Sequence, residues 1–169
     1  MEKLLELISP YNFLNNLMPG AVFFHAVNYF CGATITFANY IDYLFIYYFL
    51  GLVISRIGSV VIEPIFDMLK LRKKAPYELF VKVSKEDKKL DALSEINNVY
   101  RTFLAGTVLI TAVKIVLWLC SISKFIADSS VYIALVSLIL LFGFSFRKQT
   151  GLIEKRIDAQ QTRETTNMP

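Results

Sequence analysis

Residues 126–146 read IADSSVYIALVSLILLFGFSF, and beyond Asp128 no formal charge appears before Arg147. A bilayer core about 30 Å thick takes roughly 20 mostly apolar residues of α-helix, so this stretch reads as a membrane span. Working outward, three more stretches meet the same criterion. Residues 103–120, FLAGTVLITAVKIVLWLC, carry one charge, Lys114; residues 43–62, YLFIYYFLGLVISRIGSVVI, carry Arg56; residues 19–38, PGAVFFHAVNYFCGATITFA, carry none. Pro19 suits a first helical turn and Asn16 a cap. The expected fold class is all-α, a polytopic membrane protein with four transmembrane helices.

Composition agrees. The chain has 169 residues, 55% apolar, 14% aromatic and 19% charged, against about 45–50% apolar and 25% charged in an ordinary soluble domain. These values exclude a disordered chain, a disulfide-dense secreted scaffold and a nucleic-acid module running the whole length. Of the 18 basic residues, Arg56 and Lys114 lie within spans and Lys124 in an outer turn. The rest fall before span one, between spans two and three, or after span four, which the positive-inside rule assigns to one cytoplasmic face holding both termini. The first apolar run follows Glu2, Lys3 and Glu6 and is too long for a signal peptide core. Cys31 and Cys120 read as two buried free thiols.

The non-spanning parts divide as 1–18, 63–102 and 147–169. Residues 1–18 form an amphipathic pattern broken at Pro10, expected as a short interfacial helix. Residues 63–102 form a basic cytoplasmic helical hairpin, with Pro64 kinking or ending the second span and Ser84 with Asp87 as a capping-box-like pair. This hairpin is too small for an independent core, so it packs on the bundle base or on a neighbouring subunit. Lys70, Arg72, Lys73 and Lys74 sit beside the inner leaflet and are assigned to anionic lipid headgroups or a partner; no groove-reading motif accompanies them, and no nucleic acid is expected to bind. The tail 147–169 begins as a helical extension and ends polar and disordered.

Polar groups within a span are costly and mark function or packing. His25, Asn28, Gly32, Thr36 and Asn39 share one face of span one. Gly51, Ser55 and Ser59 form a small-residue row for close helix approach. Thr107, Thr111, Lys114 and Trp118 line one face of span three, while span four is mainly lipid-facing. With a 1.5 Å rise per residue, Arg56 and His25 both fall roughly 5 Å inward of the midplane, where they could meet each other and Asn28. Arg56 either pairs with Glu63 and backbone carbonyls or lines a polar cavity; Lys114 either snorkels or faces a pore.

Enzyme signatures are missing. One histidine cannot make a two-histidine zinc motif, and no G-x-S-x-G or phosphate-binding loop occurs. No metal or cofactor is expected, and the chain reads as no enzyme.

In helix count, cytoplasmic termini, short basic hairpin and absence of a catalytic motif, the chain resembles the small four-span bacterial membrane components of antiphage defence systems, Kiwa-like membrane subunits among them. The resemblance covers the whole chain in outline and transfers no residue. It implies homo-oligomers that join a cytosolic partner and sense infection or alter membrane integrity. The expected function is thus a non-enzymatic, homo-oligomeric bacterial inner-membrane protein acting with a cytosolic partner. The alternatives are a pore lined by Arg56 or Lys114 and an intramembrane enzyme using His25.

Overall fold

A computed structural model describes residues 10–72 and 75–166. All regular structure in them is helical: α1 Pro10–Cys31, α2 Tyr40–Ile57, α3 Glu63–Met68, α4 Tyr77–Glu86, α5 Lys88–Ile122 and α6 Lys124–Thr166, with a π-helical stretch Gly58–Ile62 joining α2 to α3. Three helical rods are long and apolar enough to cross a membrane: Tyr40–Met68, Lys89–Ile122 and Lys124–Ala159. Helix α1 is not among them, because Asn12, Asn15, Asn16, His25 and Asn28 dilute its apolar run.

The first helix differs from its expected bounds at both ends. It begins at Pro10, whose missing N–H costs nothing in a first turn, so Pro19 lies inside the helix and Asn16 does not cap it. The expected break at Pro10 is its start, and residues 1–9 of the interfacial segment lie outside the described residues. At the other end the helix stops at Cys31 instead of continuing to residue 38. Gly32 adopts a left-handed φ of 66°, the usual way to end a helix, and the β-branched run Thr34, Ile35, Thr36 favours the extended chain that follows. Asn28 Nδ2 donates to the Ile35 carbonyl at 3.2 Å, and the Phe37 N–H donates to Tyr43 Oη at 3.1 Å. Phe24, Phe37, Tyr43 and Tyr47 close this loop end as an aromatic cluster, with Phe24 centroids 5.4–6.1 Å from the other three.

Helices α1 and α2 run antiparallel in direct backbone contact. A Cβ on Gly20 would overlap the Tyr47 carbonyl, and one on Gly51 would overlap the Asn16 carbonyl. Beside this crossing Phe23, Ile54, Ile62 and Ala105 form the buried core that joins α1, α2, the π-helical stretch and α5.

Two further boundaries depart from expectation. Helix α5 runs unbroken from Lys88, so the second arm of the expected hairpin and span three are one rod of 35 residues. Its cap is Asp87, which accepts from the Lys89 N–H at 2.9 Å; Ser84 lies inside α4 and donates to the Val81 carbonyl, so the two are not a capping box. The tail stays helical to Thr166, since its Glu, Lys, Arg, Gln and Ala residues are good helix formers with no proline before Pro169.

Candidate functional site: a carboxylate shared by three cations

The site begins with a proline. Pro64 has no N–H, and its ring would collide with the carbonyl four residues back in a regular α-helix. The rod widens into a π turn just before it: the Glu63 N–H donates to the Gly58 carbonyl, five residues back. That leaves Ser59 without a backbone donor. In an α-helix its carbonyl would accept from Glu63; in the π register it would accept from residue 64, which is the proline. Lys148, from α6, fills the vacancy. Its Nζ donates to the Ser59 carbonyl at 2.5 Å, to Ser59 Oγ at 2.8 Å and to Glu63 Oε2 at 2.7 Å. All three ammonium donors are used.

Glu63 Oε1 receives two more cations. Arg101 Nη1, from α5, lies at 2.5 Å, and Arg72 Nη1 lies at 3.3 Å. Arg101 reaches Glu63 past Gly58, where a Cβ would lie 3.1 Å from its Cγ and 3.3 Å from its Nε. Arg72 returns to the site through a turn after α3: the Lys70 N–H donates to the Asp67 carbonyl and the Leu71 N–H to the Phe66 carbonyl, with Lys70 at φ 55°. This is a Schellman closure with lysine where glycine is usual. Arg72 also forks onto Asp67, Nε to Oδ1 at 2.9 Å and Nη2 to Oδ2 at 3.1 Å. That carboxylate, before any other cause, raises the Arg72 pKa above its already high ordinary value.

The Glu63 side chain is only 15% exposed, so its attraction to the three cations is weakly screened. The group ties the α2–α3 rod to α5 and α6 at one level. A carboxylate with both oxygens occupied by cations is poorly placed to act as a general base; its physical role is a brace.

The other predicted residues are dispersed. Arg56 does not pair with Glu63: it lines a separate cavity with Ser55. Nor does Arg56 meet His25. His25 is exposed and its Nε2 lies 3.0 Å from Tyr47 Oη, because the α1–α2 crossing sets Gly20 against Gly51 and carries His25 towards the loop end. Asn28 holds the loop, with its Oδ1 buried and unpaired among the described residues. Gly51 makes the α1 crossing, and Ser59 accepts Lys148. Lys114 is exposed, as are Thr107, Thr111 and Trp118 on its face; the two threonine hydroxyls donate to backbone carbonyls of their own helix. Lys70 is exposed, Arg72 is committed to carboxylates instead of headgroups, and Lys73 and Lys74 lie outside the described residues. Cys31 and Cys120 are free.

Arg101 and Lys148 are the site residues that sequence reasoning missed. Each stands at the same end of a predicted span as Glu63, and depth matching across spans is the signal that finds them. No family model matches the chain, and neither curated proteins nor solved structures provide a match.

Proposed function

We propose that this chain is a four-span, non-enzymatic membrane protein that assembles with copies of itself and acts with a cytosolic partner, both termini being cytoplasmic. Three rods meet the length and polarity needed to span. The fourth crossing is supported by α1, which lies against α2 through Gly20 and Gly51 and therefore shares its depth. The bacterial inner membrane and antiphage defence extend this reading on architecture alone.

Lys114 is the observation that carries self-assembly. It lies near the middle of a spanning rod, on a face that no described residue of the protomer covers. An ammonium at that depth costs about 2.5–3.5 kcal/mol on insertion scales, and threonines and an indole along the same face offer polar partners to a second copy. Among the apolar stretches of the last two rods, only 11% and 6% of residues are buried within the protomer, which leaves room for such contacts.

The test is cysteine crosslinking in native membranes. In a Cys31→Ser, Cys120→Ser background, Thr111→Cys is expected to form a disulfide-linked dimer, while Val136→Cys on α6 forms far less. A monomer in several mild detergents, with no adduct from positions 107, 111 or 118, overturns the proposal. Because Arg56 lines a cavity within the protomer, a pore version of this reading rests on Lys114. Dye leakage from liposomes, compared with Lys114→Ala, examines that version.

A further inference from the structure

Beside the Gly51 crossing, α1, α2 and α5 border a partly open cavity of about 240 Å³. Arg56 and Arg101 both line it, together with Asn15, Tyr48, Ser55 and Asn98. No carboxylate belongs to the described lining. Two guanidinium groups lining one partly open cavity repel each other, and amides and hydroxyls alone cannot neutralise them. Arg101 shares its counter-charge, since Glu63 also serves Arg72 and Lys148. Among the described residues that line the cavity, Arg56 and Arg101 are the charged groups, so the lining is positive.

We propose that this cavity is an anion site for a phosphate ester, gripped by Arg56 and Arg101 and oriented by the surrounding amide and hydroxyl donors. Guanidinium forks match the oxygens of a phosphate in pairs. The volume lies below the roughly 300–1,000 Å³ of pockets for drug-sized ligands, so it suits a single phosphate group better than a whole nucleotide. Position fits as well. Asn98 and Arg101 stand where α5 passes from its charged segment into its apolar one, the level of headgroups in a spanning protein. Two sources share this chemistry: the headgroup of an anionic phospholipid and a free phosphate from the cytosol. Only the lipid arm rests on the membrane placement proposed above. Because Arg101 also holds Glu63, occupancy of the cavity bears directly on the brace: an anion there competes with Glu63 for the same guanidinium.

The experiment uses delipidated full-length protein in detergent, titrated separately with short-chain phosphatidylglycerol, short-chain phosphatidylcholine and inorganic phosphate, and read by thermal shift and native mass spectrometry. Saturable binding of phosphatidylglycerol or of inorganic phosphate is expected, and which of the two binds identifies the source. Arg56→Gln is expected to weaken that binding at least ten-fold, with Arg56→Lys intermediate because an ammonium lacks the fork. Ser55→Leu fills the cavity without removing a charge and is expected to abolish binding while leaving the oligomeric state and helicity unchanged. Equal binding by wild type, Arg56→Gln and Ser55→Leu overturns the proposal, as does a failure of wild type to bind either phosphate source. Should Arg56→Gln not fold, Ser55→Leu alone decides the matter.

Discussion

The two ends of this helical bundle are built on different principles. At the base, the α1–α2 crossing is backbone on backbone, the core of Phe23, Ile54, Ile62 and Ala105 lies close by, and Glu63 is gripped by three cations from three segments. Towards the loop end, α5 and α6 turn most of their side chains outward, and the one charged group in the middle of α5, Lys114, is exposed among the described residues. The Glu63 brace closes within one copy of the chain, whereas the outward faces depend on what surrounds them. A bilayer supplies no hydrophobic force between helices, so a protomer of this kind is held by close packing and polar links where it is rigid. It stays adaptable where those are sparse.

The strongest way to break this contrast is to remove the counter-charge. Glu63→Gln keeps the shape and leaves Arg72, Arg101 and Lys148 sharing one neutral amide. Breaking a buried ion pair from one side typically costs 3–5 kcal/mol. The cations are 19–35% exposed, so a loss of about 3 kcal/mol, at the low end of that range, is expected in denaturation from mixed micelles. Lys114→Leu, on the outward face, is expected to leave protomer stability unchanged while weakening the dimer crosslink. If both variants lower protomer stability alike, the two regions are not distinct.

Glycines allow a second comparison. At Gly51 an added methyl overlaps the Asn16 carbonyl, while at Gly143 nothing lies within 4 Å. Overpacking commonly costs about 1–3 kcal/mol, and backbone against backbone leaves little room to yield, so Gly51→Ala is expected to cost about 2–3 kcal/mol. Gly143→Ala is expected to be neutral or to stabilise by up to about 1 kcal/mol, since alanine loses less entropy in a helix. Thermal unfolding of the two variants side by side measures the difference.

This contrast was only partly legible in the amino-acid order. Apolar runs located the helical rods, and the small-residue row located Gly51, because both follow from local periodicity. Glu63 stood out as an acid at a span boundary. Its partners did not, because Arg101 and Lys148 are 38 and 85 residues away and read as ordinary positive-inside markers. Arg72 read as a headgroup contact for the same reason. The His25–Arg56 meeting was expected from counting depth along two full-length spans; the chain instead leaves α1 at Gly32, which slides the two helices relative to that count. Depth arguments fail where a turn residue shortens a helix, and only the fold reveals by how much.

The smallest predicted effect isolates why Lys148 is needed. Lys148→Met removes the donor to the Ser59 carbonyl, the donor to Ser59 Oγ and one donor to Glu63. Leaving a buried acceptor unmet costs about 1–3 kcal/mol; with Lys148 35% exposed, water reaches the site and a loss of about 1–2 kcal/mol is expected. Pro64→Ala changes the meaning of that loss. With an N–H restored at position 64, the Ser59 carbonyl has a backbone donor in either register: residue 64 if the π turn persists, Glu63 if the rod relaxes to a regular α-helix. Lys148→Met is therefore expected to cost about 0.5–1 kcal/mol less in the Pro64→Ala background than in the wild type. The remainder reports the contacts to Glu63 and Ser59 Oγ. Costs that add to within about 0.5 kcal/mol would mean that the proline does not create the vacancy Lys148 fills, and that the lysine is recruited by the carboxylate alone.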